Sequence, residues 1–122
     1  MSSLTAPVLD LAVDDTRMRN VRVLALRGEL DLHSSPRLKR LGERLAGDRD
    51  PLVLDLSELM LLDSSGLGAI IELFNATQKA GAQFAIVARR SPTRRIFDVT
   101  GLTAVLGVVQ TRRDAVARVS AA

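Results

Sequence analysis

The residues best suited to chemistry stand together in Asp63-Ser64-Ser65-Gly66-Leu67-Gly68. Two hydroxyls follow a carboxylate, and two glycines allow a backbone to come close to whatever binds there. The segment separates a nearly continuous apolar run from the most amphipathic stretch of the chain, with Ser64 or Ser65 at the position of a helix cap. N–H groups at a helix start lack intrahelical acceptors and carry partial positive charge, so a phosphate on one of these serines is accommodated. The same residues also suit a plain cap, since Ser and Asp favour cap positions and Gly favours loops. A serine hydrolase would need a base, yet His33 is the only histidine and the Gly-x-Ser-x-Gly spacing of a nucleophile elbow is missing. An enzyme is therefore not expected. His33 sits between Asp31-Leu32 and Ser34-Ser35 and reads as an exposed loop residue; a lone histidine is poor evidence for a metal. No Gly-x-x-x-x-Gly-Lys-Ser/Thr loop is present to cradle phosphates independently, so no cofactor is expected.

Composition narrows the classes further. A length of 122 residues, with 47% hydrophobic and 25% charged, is that of one globular domain, residues 1–122 with a core over about 8–119. Cysteine is absent, which removes disulfides, thiolate metal sites and thiol redox sensing. Trp and Tyr are also absent and Phe occurs three times, so aromatic stacking is not a major binding device. The start of the chain shows no basic stretch followed by an apolar run, and no segment approaches the roughly 20 apolar residues of a membrane span. A cytoplasmic protein without a membrane partner is expected. The net charge is +3, and Arg89, Arg90, Arg94 and Arg95 lie close together in sequence. Without interleaved aromatics or a helix-turn-helix signal, direct nucleic-acid binding is not expected. The cluster reads as a solvated face or a contact to an acidic patch, and stays unassigned.

The elements that must position Ser64 follow from periodicity. Residues 8–13 and 21–26 read as two strands joined by a polar turn at 14–20. Ser35-Pro36 starts a helix, with Leu38, Leu41 and Leu45 on one face and Gly47 at its end. Pro51-Leu52-Val53-Leu54-Asp55-Leu56 is the sequence of a strand covered on both faces and belongs at the centre of the sheet. From Gly66, Leu67, Ile70, Ile71 and Phe74 recur at helical spacing as far as Gly81. Residues 83–88 form a further strand, Ser91-Pro92 opens a helix carrying Ile96, Phe97 and Val99 and stopped by Gly101, and 105–109 is a last strand. Thr111 and Asp114 resemble a capping box for a terminal helix to about Val119. The sum is an α/β domain, a mixed sheet of four to five strands with amphipathic helices packed against it, begun by a hairpin.

Three blocks carry a resemblance. Leu54-Asp55-Leu56-Ser57 through Asp63-Ser64-Ser65-Gly66-Leu67-Gly68 resembles the signature of bacterial anti-sigma factor antagonists (anti-anti-sigma factors), the STAS-domain family. Arg27-Gly28-Glu29-Leu30-Asp31 resembles that family's Gly-Glu-Leu-Asp segment after the second strand. Arg95-Ile96-Phe97-Asp98-Val99-Thr100-Gly101-Leu102 resembles its Arg-x-Phe-x-x-Ser/Thr-Gly-Leu block. The three stand in order over nearly the whole chain.

The resemblance implies a domain that binds an anti-sigma factor with serine kinase activity, frees a sigma factor for transcription, and is switched off when that kinase phosphorylates Ser64. It places Gly28, Glu29, Asp31, His33, Asp63, Ser65, Gly66, Leu67 and Gly68 with Ser64 on the docking surface, has Asp63 orient the serine, and adds a phosphatase acting on Ser64 as a further partner. Partner switching of this kind serves stress responses. Related domains serve as scaffolds or adaptors in stress-signalling and transport complexes, which is the alternative reading.

Overall fold

The computed structural model describes residues 10–45 and 47–120. Five strands form one sheet in the order β1-β2-β3-β4-β5: β1 Leu11–Met18, β2 Val21–Leu30, β3 Leu52–Leu62, β4 Phe84–Val87 and β5 Val108–Val109. β1 and β2 form an antiparallel hairpin, and all later pairings are parallel, connected by α1 Ser35–Arg44, α2 Ser64–Lys79 and α3 Pro92–Thr100, with α4 Arg112–Ser120 closing the chain. The mixed sheet, the opening hairpin and the central place of β3 are as the sequence implies.

Alternate strand residues supply two cores, as the two-residue period of a strand requires. On one face Leu24, Leu26, Leu54 and Ile86 pack with Leu38 of α1, Ala69, Ile70 and Leu73 of α2, and Phe97 of α3. On the other, Val21, Val23, Val53, Ala85 and Val87 pack with Ala115, Val116 and Val119 of α4. The start of β3 is apolar on both sides because both sides are covered. Asp55 is the exception, at 6% exposure. Its carboxylate accepts from Arg112 Nε at 2.6 Å and from the Ser57 hydroxyl and N–H at 2.6 and 2.9 Å, tying the first turn of α4 to the sheet. Burial pushes the Asp55 carboxyl up, but the Ser57 and Arg112 hydrogen bonds together outweigh it and hold it below the usual carboxylate range.

Several boundaries differ from the expectation. The polar turn foreseen at 14–20 shrinks to Arg19-Asn20, because residues 14–18 pair with β2 despite their charge and form an exposed edge. Val8 and Leu9, expected in that strand, lie outside the described residues. β2 continues to Leu30, so Arg27-Gly28-Glu29-Leu30 is the end of the second strand rather than the segment after it. β3 continues to Leu62, with shifts of register against β2 at Ala25/Arg27 and Gly28/Glu29 that absorb extra residues of β3.

The helices shift as well. α1 starts at Ser35 with Ser34 as its cap residue, and the Ser34 hydroxyl donates to the Glu29 carbonyl at 2.7 Å instead of capping the helix. The buried face of α2 is Gly66, Ala69, Ile70 and Leu73, with Leu67 and Phe74 packed at its margin and Ile71 half-buried. Gly66 turns inward there because Leu30 of β2 and Leu62 of β3 come close. Val99 is 70% exposed although it shares α3 with buried Phe97, and the last strand contracts to two residues, leaving Val105 60% exposed. Ser91 caps α3 as expected, accepting from Arg94 N–H at 3.1 Å, and Gly101 closes it. Thr111 accepts from Asp114 N–H at 3.0 Å at the start of α4. Among the described residues no helix is long and apolar enough to cross a membrane, and no cluster of His, Asp and Glu is arranged to hold a metal.

Candidate functional site

β3 delivers the chain to the C-terminal edge of the parallel strands, where α2 begins. The cap residue of α2 is Asp63, not a serine: its Oδ1 accepts from Gly66 N–H at 2.9 Å. Ser64 and Ser65 are therefore the first and second helical residues, whose N–H groups have no intrahelical acceptor. Ser64 is exposed and Ser65 half-buried.

Asp63 does a second thing. Its Oδ2 accepts from Leu32 N–H at 3.1 Å, and its own N–H donates to the Leu30 carbonyl at 3.3 Å. One carboxylate thus ties the start of α2 to the turn after β2. Gly66 completes this junction. A Cβ on Gly66 would lie 2.4 Å from the Leu30 carbonyl oxygen and 2.9 Å from Leu30 Cγ and Leu62 Cδ1, so only glycine lets α2 start this close to β2.

The turn after β2 is itself rigid. Asp31 Oδ1 accepts from the N–H groups of His33 and Ser34, both at 3.0 Å, while Asp31 N–H donates to the Ser34 hydroxyl at 2.9 Å. The Ser34 N–H above all holds the Asp31 carboxyl below its ordinary range, with further contributions from the Ser34 hydroxyl and His33. The anchored turn holds His33 and Leu32 outward.

The candidate residues fall into two groups. Asp31, His33, Asp63, Ser64 and Ser65 converge on the edge between β2 and α2, with half-buried Glu29, Leu67 and Gly68 flanking them. Gly28 and Gly66 are buried and shape the backbone. At Gly28, φ is +102° and a Cβ would lie 2.1 Å from the Asp10 carbonyl oxygen. Sequence reasoning passed over Leu32, Met60 and Leu61, which are 67%, 69% and 44% exposed around the same edge. The signal was the run Leu59-Met60-Leu61-Leu62, too apolar for a loop and lacking the alternation that would bury it all.

Residues 12–115 match the STAS domain family. This chain belongs to the STAS domain family. As a STAS domain it is 36% identical over 98 residues to the anti-sigma-F factor antagonist RsfB of Mycobacterium tuberculosis, a match spanning 78% of each chain. It is 28% identical over 102 residues to the anti-sigma F factor antagonist of Paenibacillus polymyxa, spanning 82% of this chain and 87% of that one. An anti-sigma factor antagonist from Mycobacterium paratuberculosis has the same STAS architecture, with TM-score 0.83 at 30% identity over 94% of this chain and 97% of the other. Bacillus SpoIIAA in its phosphorylated form shares the fold at TM-score 0.64 and 23% identity, over 88% and 99% of the two chains.

Proposed function

We propose that the protein is an anti-sigma factor antagonist. Unphosphorylated, it binds an anti-sigma factor that is also a serine kinase and so frees a sigma factor; phosphorylated at Ser64, it lets go. The observation that carries the reading is the contrast between two adjacent serines: Ser64 stands exposed on the first turn of α2, at the end of the strand that carries exposed Met60 and Leu61 and next to the turn that carries exposed Leu32, whereas Ser65 is half-buried.

The mechanism is electrostatic and local. The apolar side chains around Ser64 supply area that a partner desolvates, and Asp31, Asp63 and Gly66 hold that area in one shape, which reduces the ordering cost of binding. A phosphate adds about −1.5 to −2 charges at the centre of this surface, next to Asp63. A penalty of about 3 kcal/mol reduces affinity more than a hundredfold. The helix start tolerates the phosphate, since unpaired N–H groups and the helix dipole both favour negative charge there. The partner carries the nucleotide, and a phosphatase resets the serine.

Intact mass tests this. The protein is incubated with ATP and each candidate anti-sigma kinase of its own cell, alongside Ser64→Ala and Ser65→Ala. One phosphate on the natural protein and on Ser65→Ala, and none on Ser64→Ala, is the expected result. Phosphate retained on Ser64→Ala moves the acceptor elsewhere; tight binding without any phosphate makes the domain a constitutive adaptor.

A further inference from the structure

β4 stops at Val87, opposite Asp55, whereas β3 runs seven residues further, over residues 56–62, paired with β2 alone. The notch this leaves is a cleft of about 340 Å³ with Leu56 and Leu59 on one side and Arg89, Arg90 and Gln110 on the other. A neighbouring hollow of about 500 Å³ shares Arg90 and adds Arg94, Arg95 and Asp98. Arg94 is engaged, with Nε 3.3 Å from Asp98 and Nη1 3.1 Å from the Ala88 carbonyl. Arg89, Arg90 and Arg95 are exposed and make no ion pair among the described residues. Four guanidinium groups thus share one carboxylate, although α3 already has its cap in Ser91. Their mutual repulsion opposes folding slightly, and among the described residues the side chains of Arg89, Arg90 and Arg95 make no hydrogen bond or ion pair to offset it.

We propose that this cleft takes an acidic, extended segment of the anti-sigma factor, as a second docking point beside Ser64; the proposal rests on the antagonist reading above. A protein segment fits better than nucleic acid. The cleft is a short notch beside a strand edge, lined by Ser57, Ser91 and Gln110 as well as the arginines, and it is too small for a duplex. The three phenylalanines offer no base-stacking platform: Phe84 and Phe97 are buried and Phe74 packs edge-on against Phe84. Continuity also favours one partner, because β3 leads from Leu59 in the cleft through Met60 and Leu61 to Ser64. Charge at this point steers association and makes it sensitive to ionic strength, independently of the phosphorylation state.

The test measures anisotropy of a short fluorescein-labelled peptide of alternating glutamate and valine. Binding is expected, and the double variant Arg89→Glu, Arg90→Glu weakens it by about tenfold, two rim charges being reversed. Arg40→Glu, Arg44→Glu, the same change in net charge on exposed residues of α1, leaves it unchanged. Ser64→Ala binds the peptide like the natural protein, so this result is readable even if the phosphorylation reading fails. No peptide binding, an equal loss in both double variants, or labelled duplex DNA binding more tightly through the same arginines overturns the proposal. With an anti-sigma factor that phosphorylates Ser64, the Arg89→Glu, Arg90→Glu variant loses affinity; unchanged affinity there also overturns it, while leaving the Ser64 switch intact.

Discussion

Two glycines in Asp63-Ser64-Ser65-Gly66-Leu67-Gly68 look equivalent in sequence and are opposite in structure. At Gly66 an added Cβ meets the Leu30 carbonyl oxygen at 2.4 Å, with Leu30 Cγ and Leu62 Cδ1 at 2.9 Å. The carbonyl is backbone and also accepts from Asp63 N–H, so it cannot turn away as a side-chain tip would. Relief requires α2 to tilt off β2, at the upper end of the usual overpacking penalty, about 3 kcal/mol. At Gly68 nothing lies within 4 Å of the added Cβ, and replacing glycine within a helix stabilises by about 1 kcal/mol. Gly66→Ala and Gly68→Ala should therefore move stability in opposite directions and differ by about 4 kcal/mol. Without Trp or Tyr, urea unfolding is followed by far-ultraviolet circular dichroism. Gly66→Ala should lower the urea midpoint by roughly 1–3 M, and Gly68→Ala should raise it. A Gly66→Ala protein within about 1 kcal/mol of the natural one would refute the close approach of β2 to α2, and a destabilised Gly68→Ala would refute the open space at Gly68. If Gly68 also meets the anti-sigma factor, Gly68→Ala binds less tightly while folding more stably.

Further outcomes follow from the same geometry. Asp63→Ala removes a helix cap and the tie to Leu32, and should cost about 1–2 kcal/mol in urea unfolding while quickening amide exchange at Leu32 and Gly66. Ser64→Asp, read by thermal unfolding and by calorimetric titration with the anti-sigma factor, should keep or slightly raise stability, by about 0.5 kcal/mol, and weaken binding. Asp55 titrates below its unfolded value, so its contribution is full above the unfolded carboxyl pKa and lost as pH falls through the lower folded value. Arg112→Met removes one of the bonds that hold it down, and circular dichroism against pH should then show acid unfolding starting at higher pH.

How much of this was legible depends on what each signal averages over. The interior strand at Leu52-Val53-Leu54 and the helix after Gly66 were readable because burial on a repeating period leaves many residues in agreement. The cap was misplaced by one or two residues because Asp63, Ser64 and Ser65 are all good cap residues; what decides among them is the Leu30 carbonyl, 33 residues before Asp63 in sequence, which admits only Gly66 at the third helical position. The length of β3 was missed for a related reason. Its second half is exposed on an edge that β4 never reaches, so alternation breaks down at Ser57-Glu58 and again at Met60-Leu61. The apolar part of the candidate site lies in that stretch, where a local pattern cannot distinguish a half-covered strand from a loop.

The same features explain why the site suits a switch that does not disturb its own fold. Asp31 and Asp63 spend their hydrogen bonds on backbone N–H groups, and Gly66 locks α2 to β2, so the framework around Ser64 is complete without the serine hydroxyl. Nothing has to break when that hydroxyl is esterified. An acceptor whose hydroxyl was a cap or a core partner would couple modification to stability, and phosphorylation would unfold part of the domain. Here the load is carried by an aspartate one residue earlier, which leaves Ser64 free to change charge. Under the proposed function, the effect of a phosphate on Ser64 is confined to what docks there, and the domain changes partners without changing its fold.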